Sequence, residues 1–253
     1  LIMKFSANLG FLWHDCPLPE AIKLAHKAGY SAVECHWPYQ FDTNEVNKAL
    51  NETGLKMLGL NTDRGDVSKG DNGLSAIPGR EEEARAAIDQ AIAYAHKINA
   101  LNVHVMAGFA SGEVAKNTFI DNLRYAADQA KFYDITILIE PLNHYDAPNY
   151  FLQTSTQAEE ILHKVERENV KLMFDCYHLQ IMEGDICRRL EHLMPIIGHI
   201  QIASVPSRNE PNTGELNYGY IFSKLASLGY SAPIGAEYKP ANGQVDSSWL
   251  ADF

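Results

Sequence analysis

Polar and ionisable side chains recur along the chain directly after short apolar runs. The segment ITILIE ends at Glu140, and the segment VKLMFD ends at Asp175. In a barrel of parallel strands, the side chains that reach a substrate are those at the carboxyl ends of the strands. The candidate strand-end residues are Asn8, Glu34, His36, Asn61, His104, Glu140, Asp175, Gln201 and Glu237. Their repetition predicts a functional site where the strand ends meet.

Four of these residues, Glu140, Asp175, Gln201 and Glu237, end consecutive candidate strands and carry oxygen ligands. Converging carboxylates repel one another unless a cation lies between them. Hard oxygen ligands favour Mg²⁺ or Mn²⁺, with Co²⁺ as an alternative, over a thiolate zinc site. The sequence therefore predicts a divalent metal centre formed by these four side chains.

The ten histidines divide by position. His104 and His178 lie at or just past candidate strand ends, and we expect both to contribute to the site. His36 and His199 are left open, although His199 precedes Gln201 by two residues and so faces the same side of a strand. The others fall in candidate helices or loops and are expected to be solvated: His14, His26, His96, His144, His163 and His192.

Strand and helix patterns alternate from end to end, which indicates βα units and a parallel sheet. The candidate strands are 4–8, 32–36, 56–61, 102–106, 136–140, 171–175, 198–202 and 234–237. The candidate helices are 19–27, 44–53, 81–98, 116–132, 156–167, 185–193, 218–228 and a short eighth at 247–253. The pattern predicts an α/β fold, a single (β/α)8 TIM barrel domain over residues 1–253. A doubly wound open sheet is the alternative, but NLGF at 8–11 is not the GxGxxG that would support it.

The interval after the third candidate strand is long and rich in Gly, Asp and Asn. Residues 62–80 would form a loop at the mouth of the barrel. Long loops in compact domains are more often lids or binding loops than bland insertions. We expect this loop to close over a substrate, with a rigid surface excursion as the alternative.

The net charge and composition of the chain limit the classes of partner that it is expected to bind. The chain has 253 residues, and 21 Lys and Arg against 32 Asp and Glu give a formal net charge of −11. This charge argues against a nucleic-acid or membrane partner. There is no apolar run of about 20 residues and no visible signal peptide. The four cysteines form no CxxC pair, which suits reduced thiols in the cytoplasm. Leu1 and Ile2 precede Met3, and whether they are native is open.

The sequence resembles the hydroxypyruvate isomerase family over nearly its whole length. The matching segments are Asn61-Thr62, Gly65-Asp66, GLSAIPGRE (73–81), HVMAG (104–108), FIDNLRYAA (119–127), EPLN (140–143), YFL (150–152), FDCYH (174–178), HIQIA (199–203), RNEP (208–211), GELNY (214–218) and IGAEYKP (234–240). The wider group is the xylose-isomerase-like TIM barrel superfamily, which also includes 2-oxo-tetronate isomerases and ketose 3-epimerases. The sequence departs from the familiar pattern at Asp63-Arg64, where a proline usually precedes Gly65.

The resemblance implies that Glu140 and Glu237 are both acid/base residues and metal ligands. Asp175 and Gln201 would complete the metal sphere. A histidine usually fills the position of Gln201 in the epimerase branch, so the glutamine favours the hydroxypyruvate isomerase branch.

Aldose–ketose isomerisation moves a proton between adjacent carbons through an enediolate. It needs a carboxylate to take the proton and an acid to return it. A divalent cation would stabilise the developing oxyanion. A substrate carboxylate also needs a cationic partner, for which Arg208 or Lys239 is available. With Asn61, His104 and His178, these two residues make up the predicted substrate-binding set.

The preferred function is a metal-assisted isomerase that converts hydroxypyruvate to 2-hydroxy-3-oxopropanoate, or acts on a related 2-oxo sugar acid. A ketose 3-epimerase is the first alternative. A metal-dependent endonuclease would need more histidine ligands and a basic groove, and a non-catalytic sugar-acid sensor would not need an acid/base pair. The expected partner is a small-molecule sugar acid, and a homo-oligomer is possible.

Overall fold

Eight parallel strands form the centre of the molecule. The computed structural model describes residues 3–253, so Leu1 and Ile2 lie outside the described residues. The strands are β1 (Phe5–Asn8), β2 (Ala32–Glu34), β3 (Gly59–Asn61), β4 (Asn102–His104), β5 (Thr136–Ile139), β6 (Val170–Asp175), β7 (Ile197–Ile202) and β8 (Ile234–Ala236). Their order around the sheet is β2-β1-β8-β7-β6-β5-β4-β3.

Backbone hydrogen bonds between β2 and the segment entering β3 bring the two ends of this sheet together. The Leu58 amide donates to the Val33 carbonyl at 2.7 Å, and the Cys35 amide donates to the Gly59 carbonyl at 3.0 Å. A doubly wound sheet has open edges and would not make these bonds. The predicted TIM barrel is therefore confirmed, while the extent of the domain over 1–253 stays a prediction.

Helices cover the outside of the barrel. They are α1 (Leu18–Ala28), α2 (Thr43–Thr53), α3 (Glu81–Lys97), α4 (Gly112–Ala130), α5 (Ser155–Val165), α6 (Cys176–Met182), α7 (Ile186–Leu193) and α8 (Tyr218–Ser227). The Asp42 carboxylate caps α2 by accepting from the Asn44 amide at 2.8 Å. Gly29 ends α1 with φ of 98°, the left-handed conformation that glycine adopts at little cost. No helix within residues 3–253 has the length and apolar character needed to cross a membrane.

The structure corrects two predicted elements. Helix α6 follows β6 without a loop, because the Asp175 carboxylate accepts from the Tyr177 amide at 2.8 Å and so starts a helix where none was predicted. The predicted eighth helix at 247–253 is instead a 3-10 turn, Ser248–Asp252. Trp249 anchors this turn against the barrel, with its ring 5.0 Å from that of Phe5. Burial of one large aromatic side chain thus takes the place of a full helix.

Candidate active site

The polar strand ends meet inside the mouth of the barrel, as predicted. All of the predicted strand-end residues except Asp175 line a cavity of about 40 Å³. Its polar lining residues include Asn8, Glu34, His36, Asn61, His104, Glu140, His199, Gln201 and Glu237. This volume suits a small ion and a water better than a sugar acid. A second, wider cavity of about 670 Å³ is lined by Phe11 and Lys239 among others, and it shares no lining residue with the first.

Glu237 lies at the centre of a dense set of donors. One oxygen, Oε2, accepts from Asn8 Nδ2 at 2.7 Å and from Gln201 Nε2 at 2.6 Å. The other, Oε1, accepts from Arg208 Nη2 at 2.7 Å. Burial raises the pKa of Glu237, but the hydrogen bond and charge of His36 and the charge of Arg208 outweigh it and lower the pKa to about 2. Glu237 is therefore ionised at neutral pH.

Glu140 and Asp175 have the opposite electrostatics. Burial, followed by the charges of Glu237 and Asp175, raises the pKa of Glu140 well above its usual value. Burial also raises the pKa of Asp175 to about 7, although the nearby Arg208 guanidinium opposes this. Both carboxyls are thus held where their negative charge is unfavourable unless a cation accompanies them.

Three buried acceptor oxygens in this site have no hydrogen-bond partner among residues 3–253. They are Glu140 Oε1, Asp175 Oδ2 and Gln201 Oε1. An unpaired buried acceptor costs about 1–3 kcal/mol, and a divalent cation coordinated by oxygen would remove that cost. These oxygens belong to three of the four predicted ligands, so the residues present fit a Mg²⁺ or Mn²⁺ ion.

A second grouping of possible ligands includes a histidine. One ligand atom from each of Glu140, Asp175 and His178 lies within 4.8 Å of the others. However, His178 Nδ1 accepts from the Asn143 amide at 3.0 Å. Burial lowers the pKa of His178 well below its usual value, so the ring is neutral and its proton is on Nε2. That nitrogen lies 3.7 Å from Asp175 Oδ2, beyond hydrogen-bond distance, so His178 adds a nitrogen to the oxygen atoms grouped around this point.

His104 lies on the other side of Glu140. Its Nδ1 is 3.2 Å from Asn61 Oδ1 and 3.6 Å from Glu140 Oε2. Burial lowers the pKa of His104 to about 4, so the ring is neutral at physiological pH. His104 and His178 thus both lie within 4 Å of Glu140, and Asn61 lies beside His104, while the substrate-binding role of these three residues stays a prediction.

The remaining eight histidines fall into two groups, two at the site and six on the surface. His36 Nε2 lies 3.6 Å from Glu237 Oε2, and His199 Nε2 lies 2.6 Å from Glu34 Oε2, so both belong to the site. The six histidines expected to be solvated are all exposed, which confirms that prediction.

The two predicted cations have different environments. Arg208 is only 9% exposed and packs between the rings of Phe11 and Tyr177, each 4.8 Å from the guanidinium carbon. Its Nη1 donates to Asp146 Oδ2 at 3.1 Å, in addition to its bond with Glu237. Arg208 also has φ of 56°, a conformation that costs a non-glycine residue roughly 1–2 kcal/mol. Lys239, by contrast, is exposed at the rim of the wider cavity.

Sequence reasoning did not assign a role to several residues that support the site. Asn143 sets the His178 tautomer, and Asp146 accepts from both Arg208 and Tyr177, the latter at 2.9 Å. The available signal was position, since both lie in the loop after β5, on the face of the barrel that carries the site.

The loop at 62–80 is only partly free of the barrel. The amides of Ser75 and Ala76 donate to the carbonyls of Met106 and Ala107 at 3.2 and 2.8 Å. A Cβ added to Gly73 would lie 2.8 Å from the Gly108 amide, so this glycine permits close packing. Residues 73–76 are therefore packed against the barrel, and residues 63–72 are the part of the loop that could move.

The whole chain can now be compared with known proteins. A family model described as xylose isomerase-like TIM barrel matches residues 22–252. The chain belongs to this family. Among curated members, a 2-oxo-tetronate isomerase of Haemophilus influenzae is 43% identical over 99% of both chains. The hydroxypyruvate isomerase of Escherichia coli K12 is 38% identical over 94% of both. These matches confirm the resemblance to the hydroxypyruvate isomerase group and the prediction of an isomerase-type enzyme.

Solved structures agree with the fold. A crystal structure described as an AP endonuclease, family 2, from Brucella melitensis has a TM-score of 0.94 at 40% identity, over 99% of both chains. D-psicose 3-epimerase from Clostridium cellulolyticum has a TM-score of 0.79 at 18% identity, over 95% of this chain and 88% of the epimerase. At that identity the likeness shows the fold alone.

Proposed function

We propose that this protein is a metal-assisted isomerase that converts hydroxypyruvate to 2-hydroxy-3-oxopropanoate, or acts on a related 2-oxo sugar acid. The observation that carries the proposal is the shared cavity of Glu140 and Glu237 beside three buried acceptor oxygens without partners among the described residues. Two carboxylates and a cation are what proton transfer through an enediolate requires.

The metal ligands in this proposal are Glu140, Asp175, Gln201 and Glu237. Their oxygens suit Mg²⁺ or Mn²⁺, with Co²⁺ as an alternative. When bound, the ion would polarise the substrate's carbonyl and hydroxyl oxygens. It would thereby lower the pKa of the C–H bond on the adjacent carbon.

The two glutamates carry the proton in this proposal. One carboxylate removes a proton from C3 of hydroxypyruvate, and the electron pair of the broken C–H bond forms the C2–C3 double bond of the enediolate. A carboxyl group then returns a proton to C2, while the hydroxyl proton moves from the oxygen on C3 to the oxygen on C2. Atoms and charge balance, so no redox cofactor is needed.

Arg208 is the proposed partner of the substrate carboxylate. The bidentate fork of a guanidinium matches a carboxylate, and the two flanking rings hold that fork in one plane. His178 Nε2 and the His104 ring would donate to or accept from the substrate's oxygens, with Asn61 orienting His104. Lys239 at the rim would add a second, solvent-exposed cation.

Relatives and charge support this choice over the alternatives. Two relatives at 43% and 38% identity are named as isomerases of 2-oxo-tetronate and hydroxypyruvate. A ketose 3-epimerase remains the second candidate, because an enediolate also serves epimerisation, but the glutamine at position 201 favours the isomerase branch. A net charge of −11 disfavours an endonuclease. The cytoplasmic location and the homo-oligomer stay predictions.

Proton exchange with solvent tests the function directly. Metal-loaded protein would be incubated in D₂O with hydroxypyruvate, a 2-oxo-tetronate and neutral ketoses, and the products would be followed by NMR. We expect a product with deuterium at C2, which is an aldehyde when the substrate is hydroxypyruvate and a 3-oxo acid when it is a 2-oxo-tetronate. Inversion at C3 of a ketose without an aldehyde product would instead establish the epimerase. Absence of exchange with every substrate would contradict both.

A further inference from the structure

Gln201 differs from the other proposed ligands because only one end of its amide can bind a cation. Its Nε2 lies 2.7 Å from Glu34 Oε1 and 2.6 Å from Glu237 Oε2. Carboxylate oxygens only accept hydrogen bonds, so the amide nitrogen must face these two groups. A flipped amide would set its oxygen against two carboxylates. The oxygen Oε1 is consequently the atom without a partner within residues 3–253.

Glu34 is itself firmly held. Its Oε2 accepts from His199 Nε2 at 2.6 Å, and its Oε1 accepts from Asn8 Nδ2 at 3.1 Å. The residue is 4% exposed and lies at the end of β2, whereas Gln201 lies on β7. A buried carboxylate with donors on both oxygens keeps a single orientation.

The backbone of β8 leaves room for this carboxylate. A Cβ added to Gly235 would lie 2.5 Å from both Glu34 oxygens, which no real structure tolerates. Gly235 pairs in register with Gln201 on β7 and with Ser6 on β1. The glycine thus places Glu34 beside the amide of Gln201.

Glu237 alone would orient the amide poorly, because the proposed function also gives its carboxylate metal-binding and proton-transfer roles. Glu34 carries none of these roles. We propose that Glu34 is a positioning residue, which fixes the Gln201 amide so that its oxygen faces the cation. This inference rests on the metal centre of the proposed function.

The affinity for Mn²⁺, measured by electron paramagnetic resonance of the free ion, tests the inference without an activity assay. Glu34→Met removes the acceptor and should weaken Mn²⁺ binding by about 10- to 100-fold. Glu34→Gln keeps one acceptor oxygen, and His199 can exchange its tautomer, so this variant should stay within about threefold of wild type.

A double-mutant cycle separates orientation from general damage. In a Gln201→Ala background no amide remains to be oriented, so Glu34→Met should cause little further loss. If the fold-losses in Mn²⁺ affinity of the two single variants multiplied in the double variant, the two residues would act independently and the inference would be overturned. If wild-type protein failed to bind Mn²⁺, the metal centre and this inference would both fall. If wild type bound and Glu34→Met bound equally well, only the role of Glu34 would fall.

If Glu34→Met fails to fold, two conservative substitutions provide a second test of the inference. Gln201→Glu sets a third carboxylate against Glu34, and Glu34→Gln in that background should relieve the repulsion. We would measure melting temperatures of the metal-free proteins. Glu34→Gln should raise the melting temperature more, or lower it less, in the Gln201→Glu background than in wild type. Equal shifts in the two backgrounds would overturn the inference.

Discussion

Arg208 Nη2 lies 2.7 Å from Glu237 Oε1, so the cation proposed to bind substrate also contacts a proposed acid/base residue. The same guanidinium reaches Asp146 through Nη1. The His36 ring and this guanidinium together lower the pKa of Glu237, whereas burial and the neighbouring carboxylates raise the pKa of Glu140. Two carboxyl groups in one cavity thus differ in proton affinity because cationic and hydrogen-bonding partners dominate at one and burial dominates at the other.

Glu140→Gln and Glu237→Gln should each reduce turnover by at least about 10²-fold. Each change keeps the size of the side chain but removes the group that exchanges the proton. The kcat for hydroxypyruvate would be measured at saturating metal, with the exposed Glu113→Gln as the matched control. Near-normal turnover in both active-site variants would contradict the assignment of the pair.

Arg208→Lys should raise the KM for hydroxypyruvate by at least about tenfold. Lysine keeps the charge but loses the planar fork and the stacking between Phe11 and Tyr177. The kcat/KM for a neutral ketose should fall much less. Lys239→Met is the control for a cation at the rim, and we expect a smaller effect on KM from it. An equal loss for charged and neutral substrates would rule out a carboxylate contact.

The strand-end residues could be predicted from sequence because each follows an apolar run that must cross the barrel. Glu140, Asp175 and Gln201 needed only that rule, and the structure places all three at the mouth. The contact of Glu34 with Gln201 joins residues 167 positions apart. It depends on barrel closure and on the missing side chain at Gly235, and neither is visible in a periodic pattern.

Helix α6 illustrates a second limit. The segment that forms this helix is only seven residues long, and the sequence pattern predicted neither a strand nor a helix there. Its start depends on the Asp175 side chain, whose Oδ1 caps the helix while its Oδ2 stays free of partners within the described chain. One carboxylate thus ends a strand, starts a helix and offers a ligand atom.

Metal binding should release more protons at pH 6 than at pH 8. The pKa of Asp175 is about 7, so below that pH the incoming cation must displace a proton from it. The apparent affinity for Mn²⁺ should therefore rise with pH up to about 7. Above that pH, Asp175 is already ionised and should cause no further increase. Calorimetry of Mn²⁺ binding in buffers of different ionisation enthalpy would count the protons.

The expected difference between pH 6 and pH 8 is about one proton per ion bound. Metal removal with a chelator and reloading should restore the same count. If the number of protons released per ion were the same at pH 6 and pH 8, Asp175 would not be a ligand that loses a proton when the metal binds.

Residues 63–72 should become less accessible when substrate and metal bind. An enediolate is readily protonated by bulk water, so the site must exclude solvent while it exists. This part of the loop is held by the Arg64 guanidinium over the Trp37 ring, 3.7 Å from its centroid, and by the Arg80–Asp71 ion pair at 2.8 Å. Movement of residues 63–72 would have to break or carry along these two contacts.

Trypsin offers a site-specific measurement, because the side chain of Lys69 is 81% exposed within this segment. Cleavage after Lys69 should slow at least about tenfold with metal and a non-reacting substrate analogue, since closure reduces the open population. Cleavage after Lys131, outside the loop, should not change and serves as the internal control. Lys69→Gln should abolish the first cut and leave the second. Cleavage after Lys69 at the same rate with and without ligand would show that the loop is a rigid surface excursion, and solvent exclusion would then have to come from elsewhere at the barrel mouth.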